Sequence, residues 1–114
     1  MQAAFESRIQ TLRERPDIYE CLFHDLEDNS LHVYVHAQTT DLEIIMVAPR
    51  DFPFRPPRVW INPPVRDDIP GNDGIVSRIE ASGSGYSRVM LKHEWGPAVS
   101  LGQIVMDIVT HFNN

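Results

Sequence analysis

The sequence is poor in cysteine. Cys21 stands alone, which excludes an internal disulfide framework and any Cys-rich zinc site. It also lacks an apolar run of the roughly 18 residues that a membrane-spanning helix needs. Basic residues are the minority charge, ten Lys and Arg against sixteen Asp and Glu, for a net charge of −6. That balance argues against a nucleic-acid binder, which normally presents a basic face. No glycine-rich phosphate loop with a lysine, no Gly-x-Ser-x-Gly elbow and no dinucleotide-binding glycine pattern occurs. The stretch Asp67 to Gly74 shares only its composition with a calcium loop, without the alternating carboxylates and the distant glutamate. His32 and His36 sit four apart in a strand pattern, hence about 13 Å apart. They cannot share one ion with bonds near 2 Å. No metal and no cofactor is therefore expected. The opening Met1-Gln2-Ala3-Ala4-Phe5-Glu6 has no basic region followed by an apolar stretch, so no signal peptide is expected either. The expectation is one soluble, reduced, cytoplasmic domain over 1–114.

Apolar residues make up 42% of the 114, enough for a core. A chain of this length hides roughly 60–70% of the surface it exposes when unfolded. Phe5, Ile9 and Leu12 fall on one face of a 3.6-residue period and predict an N-terminal helix that ends at Pro16. Arg8, Arg13 and Arg15 lie off that stripe or at its end. Ile18 to Glu27 is rich in aromatic and branched residues and predicts a strand, followed by turn chemistry at Asp28-Asn29-Ser30. Leu31 to Ala37 alternates, with Leu31, Val33 and Val35 on one face and His32, Tyr34 and His36 on the other. Leu42 to Ala48 is nearly all apolar and predicts the central strand. Pro49 to Pro57 carries too many prolines for regular structure. Arg58 to Asn62 predicts a short fourth strand.

Residues 63–86 hold Pro63-Pro64, Asp67-Asp68, Pro70-Gly71, Asn72-Asp73-Gly74 and Ser82-Gly83-Ser84-Gly85, and predict a long loop of the kind that serves function or moves. Ser100 and Gln103 form a capping box ahead of Leu101, Ile104, Val105, Ile108 and Phe112, an amphipathic C-terminal helix. The expected fold class is α+β, with an N-terminal helix, a four-stranded antiparallel meander, a long loop and a C-terminal helix packed on the sheet. Among isolated polar residues, Asp25 is expected to face His32 across a hairpin. His93 and Glu94 read as loop residues, and Cys21 as core.

Two segments carry chemistry by resemblance. Phe52-Pro53-Phe54-Arg55-Pro56-Pro57-Arg58-Val59 and Leu91-Lys92-His93-Glu94-Trp95-Gly96-Pro97-Ala98-Val99-Ser100-Leu101 resemble the proline bend and the Trp-x-Pro-Ala turn of the ubiquitin-conjugating enzyme family. The elements come in that family's order over nearly the whole chain. One helix follows the tryptophan turn where most family members have three, in which the chain resembles compact conjugating enzymes of bacterial ubiquitination-like operons.

Other features depart from the family. The family's thioester-forming cysteine lies eight residues before the tryptophan, and that position is Ser87. The His-Pro-Asn motif is replaced by Ser77-Arg78-Ile79. The His-Glu-Trp run also resembles noncatalytic ubiquitin-enzyme variants, which lack the cysteine.

Two functions follow from the resemblance. In the first, the chain is a carrier of ubiquitin or a ubiquitin-like protein between an activating enzyme and an acceptor amine, with Ser87 at the catalytic position. Arg8 and Arg13 would then face the activating enzyme, and Phe54, Pro97 and Ala98 would meet a ligase. A thiol with pKa near 8.5 is a useful nucleophile at neutral pH, whereas a serine hydroxyl needs a neighbouring base. The chain as written would be inactive or a trap, by natural loss of the cysteine or by its replacement. Gly83, Ser84 and Gly85 would leave room for an extended glycine-rich tail, or they are simply loop formers. In the second, the chain is a binding module for ubiquitin, a peptide or a partner enzyme, with His32, Tyr34 and His36 as its surface. An unrelated α+β domain is the third reading. Both family readings require the proline bend and the tryptophan turn to be neighbours. The first also requires the Ser87 oxygen at the mouth of a shallow cleft between them.

Overall fold

Period-two alternation lays down the sheet. In the computed structural model, which describes residues 10, 21–25, 30–37, 40–71, 73–83, 85–93, 95–96 and 98–113, Leu31, Val33 and Val35 are buried, while Tyr34 is exposed and His32 half-buried. The same rhythm continues with Leu42, Ile44 and Met46, then Val59 and Ile61. Four strands follow one another as a meander: β1 (Cys21–Asp25), β2 (Ser30–Ala37), β3 (Thr40–Val47) and β4 (Arg58–Asn62). Their antiparallel register sets Leu31 beside Met46, Val33 beside Ile44, Ile44 beside Ile61, and Met46 beside Val59. Every one of these pairs lies on the inner face.

The sheet does not stop at four strands. Residues expected to form one long loop supply β5 (Ile69–Pro70) and β6 (Val76–Ile79), and β7 (Ser87–Leu91) follows. All seven join one antiparallel sheet in the order β1-β2-β3-β4-β7-β6-β5. After β4 the chain crosses to the far edge and returns, so β7 pairs with β4. β4, not the apolar β3, thus holds the middle place.

The sequence hides these strands for a definite reason. The β6–β7 register shifts between Val76 and Arg78. A bulge adds one residue and rotates the side chains that follow. Val76 and Ile79 therefore both face the core although they are three apart, and the strand signature is erased.

The helix α1 (Leu101–Asn113) covers the inner face with Leu101, Ile104, Val105 and Ile108, all buried. The capping box forms as expected: Gln103 N–H donates to Ser100 Oγ (3.2 Å) and Ser100 N–H to Gln103 Oε1 (2.9 Å). Polar ties fasten the helix to the returning strands. Val76 N–H donates to Asp107 Oδ2 at 2.7 Å. The His111 ring lies between the carbonyl oxygens of Asp107, 2.7 Å from Nδ1, and of Pro70, 3.1 Å from Nε2. Among the described residues no helix is long and apolar enough to cross a membrane. Of the expected N-terminal helix only Gln10 is described, in helical conformation; Arg8 and Arg13 lie outside the described residues.

Candidate functional site

The proline stretch folds into consecutive tight turns between β3 and β4. Phe52 N–H donates to Pro49 O (3.1 Å) and Phe54 N–H to Asp51 O (2.9 Å), while Arg55 Nε bridges back to Asp51 Oδ2 at 2.8 Å. The Phe52–Pro53 and Asn62–Pro63 peptide bonds are cis. Phe52 points inward and is buried, and Phe54 points out with 77% of its surface exposed.

The tryptophan turn meets this bend. Trp95 Nε1–H donates to the Pro53 carbonyl at 2.9 Å, and the Trp95 and Phe52 rings lie 6.1 Å apart at a tilt of 40°. The two motifs, 42 residues apart along the chain, are therefore neighbours. Trp95 is half-buried against the core, so its own role is packing. Ala98, three residues on, is exposed; Pro97 lies outside the described residues.

Ser87 is not at the mouth of any cleft. It opens β7 on the inner face, opposite Ile61, and is fully buried. Its Oγ accepts the Val65 N–H at 2.8 Å. The hydroxyl satisfies a backbone donor in the segment that tucks under the end of β4. Ser87, expected at an accessible catalytic position, is therefore a core residue without access to solvent. A two-residue period starting from Val89 would have placed it inside, had β7 been recognised. Gly83 and Gly85 have open space around them at the β6–β7 tip, and Tyr86 is exposed beside them.

The outer face of the sheet carries a polar cluster. Tyr34 O–H donates to Glu43 Oε2 at 2.7 Å, and His32 Nδ1 lies 3.1 Å from the same oxygen. An ionised carboxylate only accepts, so Nδ1 carries the proton of that bond. Asp25, expected to face His32, pairs with Ser30 in the β1–β2 register, and Phe23 takes the place opposite His32. Glu43 on the next strand supplies His32 with a carboxylate partner, and the Asp25 side chain lies outside the described residues. The side chain of His36 lies outside the described residues.

Glu43 was missed as a site residue, although its position in the sequence is informative. It is the one acid inside the apolar run Leu42 to Ala48, and alternation sends it to the face of His32 and Tyr34. Among the described residues no group of three or more His, Cys, Asp or Glu is placed to hold a metal ion.

Burial of the Glu43 side chain, 16% exposed, works against its charge. The hydrogen bond from Tyr34, the bond and charge of His32, and a bond from Asn62 outweigh that cost and hold the carboxyl below its ordinary 4.5. A lowered acid contributes stability above its unfolded-state pKa and loses it as pH falls through the folded value. Glu43→Gln is therefore expected to be less stable than the parent chain at neutral pH, with the gap closing below about pH 4.5. Urea melts taken across the acid range read this directly; a gap that stays constant with pH would contradict the assignment.

Comparison of the chain with family models, with curated proteins and with solved structures found no match. The functional reading thus rests on the motifs and on the geometry around Phe54, Trp95 and Ser87.

Proposed function

We propose that this domain is a noncatalytic binding module of the ubiquitin-enzyme-variant type, taking ubiquitin, a peptide or a partner enzyme of a ubiquitin-like pathway. The burial of Ser87 is the observation that carries this choice over the carrier reading. A carrier's nucleophile must meet the C-terminus of a folded protein, and a side chain with no exposed surface that already accepts a backbone N–H cannot do so. The contact between the proline bend and the tryptophan turn supports the resemblance itself, because both family readings need it.

The binding surface in this reading is centred on Phe54. Leaving a phenylalanine in water forgoes about 1.5–3 kcal/mol of burial. The Trp95–Pro53 bond braces the residue beside it, so Phe54 is displayed from a braced bend. Ala98, exposed three residues beyond Trp95, is assigned to the same surface in this reading. Buried aromatic anchors dominate the energy of protein interfaces.

Two variants test the proposal. Phe54→Ala is expected to change stability by no more than about 0.5 kcal/mol, as an exposed substitution should. It should abolish chemical-shift changes on titration of labelled protein with ubiquitin. Shifts that survive in the variant would move the surface elsewhere, and an absence of shifts in the parent chain would remove ubiquitin as the ligand.

Ser87→Cys, supplied with an activating enzyme, nucleotide and the ubiquitin-like protein, should form no reductant-sensitive adduct. An adduct would restore the carrier reading. Ser87→Ala should cost about 1–3 kcal/mol in urea unfolding, because it strands the Val65 N–H in the interior.

A further inference from the structure

The chain is acidic overall, yet one half of the outer sheet face is basic. Arg58 on β4, Arg88 on β7 and Arg78 on β6 are all exposed and alternate with the inward Val59, Val89 and Ile79. The register sets Trp60 directly beside Arg88, with Ile45 on its other side, and sets Met90 beside Arg78. Trp60, Met90 and Ile45 are only half-buried. Strands lie about 4.8 Å apart, so the three arginine positions flank Trp60 and Met90 on three neighbouring strands, about 10 Å from β4 to β6.

Little of that charge is neutralised. Arg78 has Glu80 at a long 3.5 Å, with both side chains well exposed, while Arg58 and Arg88 make no ion pair among the described residues. Among the described residues three acids share this face: Glu43 is engaged by Tyr34 and His32, Asp41 lies toward the β2 side beyond Asn62, and Glu80 borders the patch opposite Arg88, leaving three arginines against one adjacent carboxylate.

We propose that this patch is a docking surface for an extended acidic peptide segment of a partner protein, with an apolar residue placed between carboxylates. An extended ligand places alternate side chains about 6.8 Å apart on one face. That spacing suits one apolar contact on Trp60 and Met90 flanked by carboxylates on the arginines. Arginine pairs bidentately with carboxylate and stacks on aromatic rings, so its combination with Trp60 favours this chemistry.

Range decides against a polyanion. Salt screens charges beyond about 8–10 Å. A short peptide therefore senses the three arginines. A nucleic acid or an anionic bilayer spans far more of a surface whose total charge is −6. The patch lies on the outer sheet face and its argument uses neither Phe54 nor the ubiquitin-pathway reading, so it stands whether or not that reading holds.

The test uses the full chain and a dye-labelled peptide of alternating glutamate and isoleucine, followed by fluorescence anisotropy. Saturable binding that weakens as salt rises is expected. The double variant R58E/R88E should bind about a hundredfold more weakly and R58Q/R88Q about tenfold more weakly. R66E, which changes an exposed arginine outside the sheet, should bind like the parent chain. Circular dichroism reports folding of each variant, and the glutamine pair decides the matter if the charge reversal unfolds. Undiminished binding by R58Q/R88Q, equal binding of the lysine–isoleucine counterpart, or no binding at low salt would overturn the proposal. So would tighter binding of a single-stranded oligonucleotide or of anionic phospholipid vesicles than of the acidic peptide.

Discussion

Replacing Trp95 by alanine is expected to lower the unfolding free energy by about 2–3 kcal/mol, less than the roughly 3–5 kcal/mol for a fully buried aromatic, because the ring is only half-buried. Two interactions disappear together. One is the tilted contact with Phe52, and the other is the Nε1–H bond to the Pro53 carbonyl. Trp95→Phe separates them. It keeps a ring against Phe52 and removes only the N–H, for a cost of about 1 kcal/mol.

Urea denaturation of both variants checks the stability values. A binding measurement checks the functional consequence. Trp95→Phe should weaken any partner that uses Phe54, although Phe54 itself is untouched, because the bend displaying it has lost its brace. If Trp95→Phe is as stable as the parent chain and binds as well, the bond does not position the bend.

A second large effect is expected at Asp107. Its carboxylate accepts the N–H of fully buried Val76 and so holds the start of β6 against α1. Asp107→Ala leaves that donor without its charged acceptor, at a cost of about 2–3 kcal/mol. Asp107→Asn retains an acceptor oxygen and should lose about half as much. Gly74 tests the same joint from the other side. A side chain there would run into the Asp107 carboxylate, so Gly74→Ala should also destabilise. Because the obstruction is Asp107 itself, the Gly74→Ala penalty should shrink in the Asp107→Ala background. Such coupling is the mark of two residues sharing one contact. Thermal or urea melts of the single and double variants decide it; strict additivity would mean that the joint lies elsewhere.

Much of the architecture was legible because it is written in local periods. The alternation from Leu31 to Val35, the apolar run from Leu42 and the short strand at Arg58–Asn62 all reappear within one or two residues. The capping box and the helical stripe of Leu101, Ile104, Val105 and Ile108 are there as read. Such patterns survive because each depends on neighbours a few residues away. The returning strands were illegible for the opposite reason. β5 has two residues, β6 carries a bulge that breaks its alternation, and β7 puts a serine at its first inward position.

The candidate site divides in the same way. The proline bend and the tryptophan turn are recognisable from residue types in order, and their adjacency, which the family resemblance requires, is a contact of the fold. Whether Phe54 or Phe52 would be the exposed ring was not written locally. Nor was the fate of Ser87, since counting eight residues back from a tryptophan says nothing about which face of a strand a side chain occupies.

By itself, the sequence determined the meander, the capped amphipathic helix, the exclusion of an internal disulfide and the presence of the proline-rich and tryptophan segments. Only the tertiary structure decided that Ser87 serves Val65 inside the core, that Glu43 of the neighbouring strand bonds His32, and that Arg58, Arg78 and Arg88 share one face of three adjacent strands. The physical reason is range. Helical and strand periods are set by bonds between near neighbours. Burial, ion pairing and patch formation depend on which distant strands lie side by side, and here a shifted register and a strand returning to β4 made that choice.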